Sequence, residues 1–185
     1  MQRFLNVITR GMVFSVFCSM FLGLPGCGYT TRSSLISTKY LTIFIAPFTN
    51  KIDITLETDT GSKYKVNRPM IESEVTRTVV NKYLFDGNLK PVKEGTADLV
   101  LTGEVISFRR DPLRYTESDD VEEYRLSLAV NLKLVDRKNG DVLVWEENGF
   151  TGSSTYFVTK SESIAITDAV DDLARRIVER TVEDW

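Results

Sequence analysis

Cys27 is the one nucleophile in this chain whose setting assigns it a reaction. The 185 residues include two cysteines and no histidine. That removes Ser-His-Asp and Cys-His nucleophilic sites and one of the commonest zinc ligands. Carboxylates, Lys, Tyr and Ser/Thr remain, but no spacing sets two acids in a cleft, so no catalytic residue and no metal ligand is assigned. A second candidate group is cationic: Arg109, Arg110 and Arg114 where a strand gives way to a loop, and Lys160 just before a helix. Guanidinium groups make bidentate, charge-assisted contacts to phosphate, and Lys supplies a compact point charge. If the loops gather at one end of a sheet, these cations can meet an anionic ligand; the bland alternative is ordinary surface charge. The acidic run Glu117-Ser118-Asp119-Asp120-Val121-Glu122-Glu123 lacks the glycine and ligand spacing of a calcium loop and reads as a solvated connection. Glycines stand singly at turns, so there is no phosphate-cradling loop.

The setting of Cys27 is an N-terminal leader. Arg3 and Arg10 are followed by a nearly uninterrupted apolar run from Met12 to Leu24. About 13 residues suit a signal-peptide core and are too few to span a bilayer stably. Leu24-Pro25-Gly26-Cys27 then resembles a bacterial lipobox, although Pro25 stands where Ala, Ser, Thr, Val or Ile is usual. In such a motif the Cys27 sulfur takes a diacylglycerol, cleavage after Gly26 frees the new N-terminus, and a further acyl chain such as palmitate is added there. Each buried CH₂ contributes ~0.8 kcal/mol, so one chain anchors weakly and several anchor firmly. The alternative is a plain secretory signal with an incidental cysteine. Gly28 occupies the position where an inner-membrane retention signal shows Asp, so the expected location is the outer membrane, lipid-anchored, on its periplasmic side.

The expected organisation is therefore a removed leader at 1–26, a lipidated N-terminus and tether at 27–39, and a single domain at 40–185. Once Arg3 and Arg10 are gone, the net charge is about −5, which gives no generic pull toward nucleic acid. Cys18 leaves with the leader and Cys27 is consumed by lipid, so no disulfide is available. Beyond that covalent lipid no cofactor is expected. No second apolar run reaches transmembrane length.

Positioning falls to the elements that follow the tether. Leu41 to Phe48 has strong β-propensity and is broken by Pro47; Thr49 to Lys65 reads as a loop. Asn67 to Phe85 reads as a helix, with Asn67 as cap, Pro69 in the first turn, an apolar stripe of Ile71, Val75, Val79 and Leu84 with Tyr83 beside it, and Asp86-Gly87 as stop. Leu89 to Val92 is a short strand, and Asp98 to Arg109 a longer one with Leu99, Leu101 and Val105 inward. Leu126, Leu128, Val130, Leu132 and Leu134 alternate strictly with neighbours suited to a solvated face. Asn139-Gly140 turns the chain into a partner strand, Val142 to Phe150, with Leu143 and Trp145 on one face. Tyr156-Phe157 fall in a loop, as candidates for a partner surface or as a cover for the core. Ser161 to Glu183 closes the chain as a helix, with Thr159 and Glu162 spaced as a capping box and Ile166, Val170, Leu173, Ala174 and Ile177 inward. Strand, helix, strands, helix describes an α+β two-layer sandwich, two helices on one face of a mainly antiparallel sheet of four to five strands.

In this order, Gly26-Cys27-Gly28-Tyr29, the first strand, the helix around Ile71-Tyr83, the run Ala97-Asp98-Leu99-Val100-Leu101-Thr102-Gly103-Glu104-Val105, the strand opening Glu123-Tyr124 and the amphipathic last helix resemble the LptE family. The resemblance spans essentially the whole mature domain. It implies a non-catalytic protein lodged in the lumen of the outer-membrane β-barrel LptD, acting as a plug, assisting barrel assembly and binding lipopolysaccharide. The family's ligand contacts are basic residues in two loops, and the matching positions here are Arg114 and Lys160, facing lipid A phosphates. The first of these loops is longer and more acidic here. A wide barrel has a polar interior that leaks unless filled, which a compact domain can do. A second class is a lipoprotein that regulates a peptidoglycan synthase or another envelope complex. Such regulators need a long tether, whereas Gly28 to Lys39 extends only about 40 Å. A third, a hydrolase using paired carboxylates, lacks the pair.

Overall fold

The computed structural model describes residues 40–52 and 68–183. Its frame is three long antiparallel strands, β4 (Leu99–Tyr115), β5 (Val121–Asp136) and β6 (Val142–Phe157). The alternation in β5 does what its period demands: Leu126, Leu128, Val130, Leu132 and Leu134 are all buried on one face. β5 lies between β4 and β6, with Leu128 opposite Phe108 on one side and Gly152 on the other. At ~3.3 Å per residue these strands run about 50 Å. β4 and β6 are longer than the sequence suggests; β4 extends past Arg109 to Tyr115, and β6 past Phe150 to Phe157. Tyr156 and Phe157 therefore stand in a strand and not in a loop. The β5–β6 connection turns as expected, with Gly140 at φ 87° and Asp141 at φ 60° carrying the left-handed positions.

Three short strands complete the sheet: β1 (Thr42–Ile45), β2 (Thr49–Asn50) and β3 (Lys90–Pro91). The order is β3-β1-β4-β5-β6, with β2 added beside β4. β1 is parallel to β3 and to β4, and β2 is parallel to β4. The sheet is thus mixed and six-stranded, which corrects the expected four to five mainly antiparallel strands. Parallel neighbours need a crossover connection, and α1 (Ile71–Asp86) supplies the one from β1 to β3. The α+β two-layer plan stands. α2 (Glu162–Glu183) is the other helix.

α1 buries Ile71, Val75, Val79 and Tyr83, an unbroken i, i+4 line, and stops at Gly87 (φ 75°), whose N–H returns to the Tyr83 carbonyl at 3.1 Å. Leu84 is exposed. One position past Tyr83 is a rotation of roughly 100°, which carries it off the buried line. The start also differs. Met70 takes the cap position at φ 63° without a side-chain hydrogen bond, so Pro69 lies outside the helix; Asn67 and most of the expected loop fall outside the described residues. At the head of α2, the helix opens at Glu162 itself, after a turn in which the Lys160 N–H bonds the Phe157 carbonyl. The Thr159–Glu162 capping box is therefore not formed; the Glu162 carboxylate accepts from Arg110 instead. Leu143 is exposed while Trp145 is buried. Leu134 pairs with Trp145 but Val135 pairs with Leu143, and that one-residue bulge puts the two on different faces.

Every predicted core position of α2 is buried, from Ile166 to Ile177. The helix comes so near β6 that a Cβ on Gly152 would meet the backbone of Leu173. It also reaches the outer edge of β6, where Asp172 accepts the Ser153 N–H at 3.1 Å and Arg176 donates to the Thr151 carbonyl. The two helices are tied by the buried Tyr83 hydroxyl donating to Thr181 Oγ1 at 2.7 Å, and burial pushes that phenol well above its ordinary pKa.

The sheet therefore has two distinct ends. At the Tyr40 end, Asp98 accepts the N–H groups of Leu41 and Thr42 at 2.9 and 3.1 Å, and the Tyr40 hydroxyl donates to Asp136 at 2.5 Å. At the Lys160 end, β4 and β5 meet in the acidic turn and β6 passes into α2.

Candidate ligand-binding end of the sheet

The Lys160 end collects the last residues of β4, the first of β5, the last of β6 and the first turn of α2. Pairing fixes who stands beside whom: Arg114 is opposite Glu123, which is opposite Phe157, and Pro112 is opposite Tyr124, which is opposite Tyr156. In the first row the Arg114 guanidinium lies 3.6 Å from Glu123 Oε2 and 5.9 Å from the Phe157 ring centre. Glu123 is buried, while Arg114 keeps 60% of its side chain exposed. A charge pair of this exposure contributes little to stability, and the guanidinium retains donors for another acceptor.

The other arginines are more fully engaged. Arg110 donates to both Glu162 oxygens at 3.3 Å and lies 5.1 Å from the centre of Tyr124, whose ring stacks on Tyr156 at 5.8 Å. Burial raises the Tyr156 phenol pKa, opposed by its hydrogen bond with Arg110. Burial alone would lower the Arg110 pKa, but the Tyr156 bond and the Glu162 charge outweigh it and hold Arg110 firmly protonated. Arg110 thus fastens β4 to α2 through a salt bridge and an aromatic stack. Arg109 is paired with Asp111 at 3.0 Å. Lys160 is exposed, and among the described residues its ammonium has no ion-pair partner.

Of the four cations the sequence singles out, Arg110, Arg114 and Lys160 serve this end, with Lys160 unpaired among the described residues, Arg114 half-committed and Arg110 spoken for, whereas Arg109 lies further back along β4, opposite Ser127. What the sequence reading missed is the Tyr124–Tyr156–Arg110–Glu162 cluster. Its only sequence signal is that Tyr124 and Tyr156 continue the inward-facing periods of their strands. The acidic turn folds on itself, with Thr116 and Asp120 exchanging hydrogen bonds at 2.8 and 3.2 Å and Asp119 at φ 63°. Among the described residues no three carboxylates gather to hold a metal.

Apolar side chains share this end with the cations. Leu113, Tyr115, Phe157, Val158 and Ile164 are large, hydrophobic and exposed at this end. Cations set beside exposed apolar side chains suit a ligand that is anionic at one part and greasy at another. The outer face of the sheet is different in kind. There a shallow groove of about 470 Å³ is lined by polar residues, among them Thr102, Glu104, Asn131, Lys133 and Glu146, together with Ala46, Pro47 and Leu132. Its mixed charges offer no single-sign site. Among the described residues no helix is long and apolar enough to cross a membrane.

Comparison with known proteins bears on the whole of this domain. The model of a family described as LptE, lipopolysaccharide-assembly, matches residues 40–181. No curated protein matches the chain. Among solved structures, protein XCC0632 of Xanthomonas campestris is similar with a TM-score of 0.53 at 12% identity, covering 82% of this chain and 88% of that one. Protein CT253 of Chlamydia trachomatis is similar with a TM-score of 0.51 at 12% identity, covering 77% and 95%. At such identities these two likenesses speak to the fold.

Proposed function

The chain belongs to the LptE lipopolysaccharide-assembly family, and from that premise we propose that it is a non-catalytic subunit of the lipopolysaccharide translocon. In this reading Cys27 carries diacylglycerol and acyl chains that hold the protein on the periplasmic side of the outer membrane. The domain fills the lumen of the barrel LptD, assists its assembly and binds lipopolysaccharide on its way to the cell surface. The observation that carries the ligand part is the placement of Lys160 and Arg114 at one end of the sheet, among exposed apolar side chains. A phosphate accepts from both cations, and acyl chains lie against the apolar groups. The polar outer face of the sheet suits a barrel's polar interior. No metal and no cofactor beyond the covalent lipid takes part.

Purification from outer membranes in mild detergent through a C-terminal tag tests the partner, and lipopolysaccharide binding by Arg114→Glu/Lys160→Glu tests the ligand. A large barrel at one-to-one, with binding weakened at least tenfold in the double variant, is expected. Each charge-assisted hydrogen bond contributes about 1.5–3 kcal/mol, and tenfold is 1.4. Co-purification of a peptidoglycan synthase in place of the barrel would refute the partner, and wild-type affinity in the double variant would refute the site.

A further inference from the structure

Among the described residues, nearly all the exposed large hydrophobic side chains stand at the two ends of the sheet, and at the Tyr40 end they share it with Arg137 and Lys138, which are ion-paired with Glu94 and Asp98. Phe85 is 89% exposed and Leu41 66%, and Leu84, Val142 and Leu143 are each more than half exposed. They belong to three separate elements that the pairing brings to one end. Leu41 immediately precedes β1, and its carbonyl accepts the Lys90 N–H at 2.9 Å. Leu84 and Phe85 lie in the last turn of α1, which reaches Lys90 three residues after Gly87. Val142 pairs with Asp136, itself opposite Leu99 and bonded to Tyr40. Single exposed apolar residues need no explanation, but a set gathered from α1, β1 and β6 at one end does.

The covalent course of the chain says what covers it. Tyr40 is where the domain joins the segment from Cys27, and Gly28 to Lys39 reaches at most about 40 Å. A lipid on Cys27 therefore tethers the chain to the leaflet through this end, and the Lys160 end is some 50 Å further along the strands. We propose that the Tyr40 end is a membrane-docking surface. In the free lipoprotein Phe85, Leu84, Leu41, Val142 and Leu143 rest in the headgroup region of the phospholipid leaflet, and the long strands stand away from it. This rests on the lipid-anchor reading of Cys27. The docked orientation holds Arg114 and Lys160 clear of the leaflet's own phosphates, so the two ends do not compete for the same headgroups.

The mature lipoprotein has no thiol besides the acylated Cys27, since Cys18 leaves with the leader. Phe85→Cys, Val142→Cys and Phe157→Cys each accept one environment-sensitive fluorophore at an exposed site. The lipidated full-length protein is reconstituted in phosphatidylethanolamine/phosphatidylglycerol vesicles with brominated acyl chains. Labels at 85 and 142 are expected to shift to the blue and lose most of their emission, while the label at 157 matches its value in unbrominated vesicles. Water-like emission at 85 and 142, or equal quenching at 157, overturns the docking surface. Intact mass reports on the anchor separately: a mature protein without acyl groups on Cys27 overturns that reading, whereas an acylated protein with unquenched labels leaves it standing and removes only the surface.

Discussion

Gly152→Ala should destabilise the domain although its backbone conformation accepts alanine. A Cβ at this position would lie 2.5 Å from the Leu173 nitrogen and 2.6 Å from its Cα. Ordinary contact between such atoms is about 3.5–4.0 Å, so α2 must withdraw by about 1 Å. The obstacle is helix backbone, which no rotamer change can clear. A gap of 0.5–1 Å forfeits a quarter to a half of each contact's attraction, and a buried leucine makes ~40–60 contacts of ~0.1–0.2 kcal/mol. The loss comes to about 2–3 kcal/mol, in line with the ~1–3 kcal/mol of overpacked cores. Glycine to alanine at an unobstructed site has the opposite sign, because it lowers the entropy of the unfolded chain by about 0.4–1 kcal/mol. Gly95, with open space around it, is the matched control. Urea unfolding followed by circular dichroism should give Gly152→Ala a loss of ~2–3 kcal/mol, or a melting point ~4–12 °C lower, and Gly95→Ala no loss and a gain of at most ~1 kcal/mol. A Gly152→Ala protein as stable as wild type would refute the close approach of α2 to β6.

Leu128→Asp places an unpaired charge in the centre of β5, where Leu128 is fully buried, and should unfold the domain by thermal melt; a near-normal melting point would mean the faces of the sheet are reversed. Asp98 has its pKa lowered first by the Leu41 N–H and further by Thr42 and Lys138, against the effect of burial. Its contribution is therefore present above the unfolded carboxyl pKa near ~3.9 and is lost as pH falls through the lower folded value. Asp98→Asn should lose about 1 kcal/mol at pH 7, and the difference from wild type should begin to shrink below pH ~4 and close only as pH falls through the lower folded value, as chemical unfolding across that range will measure. Cys27→Ala should abolish acylation, and fractionation of metabolically lipid-labelled cells should find the variant unlabelled and released from membranes; unchanged membrane retention would count against the anchor.

What could be read from the sequence is what one element decides for itself. The five-fold alternation of β5 and the stripe from Ile166 to Ile177 each place side chains by their own period, and both face inward as expected. The glycine stop of α1 is equally local. The short strands are not, because two residues such as Lys90-Pro91 become a strand only where β1 lies beside them. The same reason hides Leu143: its exposure comes from a bulge, which is a property of two paired strands. At the ligand end, types and position gave the cations, but whether they are available is a tertiary matter. Arg110 is taken by Glu162, fifty-two positions away, and no spacing rule announces that. The lipidation expected at Cys27 falls outside the described residues.

The contacts of Asp172 and Arg176 with the rim of β6 bear on the role in barrel assembly proposed above. A partly folded barrel is a collection of strands with unsatisfied amides, and any open edge offered to it is a template for misregistered growth and aggregation. Near the middle of β6 the outward N–H and carbonyl are already spoken for by a carboxylate and a guanidinium from the helix above. An incoming strand would have to displace both, breaking two charge-assisted bonds before forming its own. Under the proposed role in barrel assembly, this guarded rim would let the domain meet nascent strands through side chains without being zipped into their sheet.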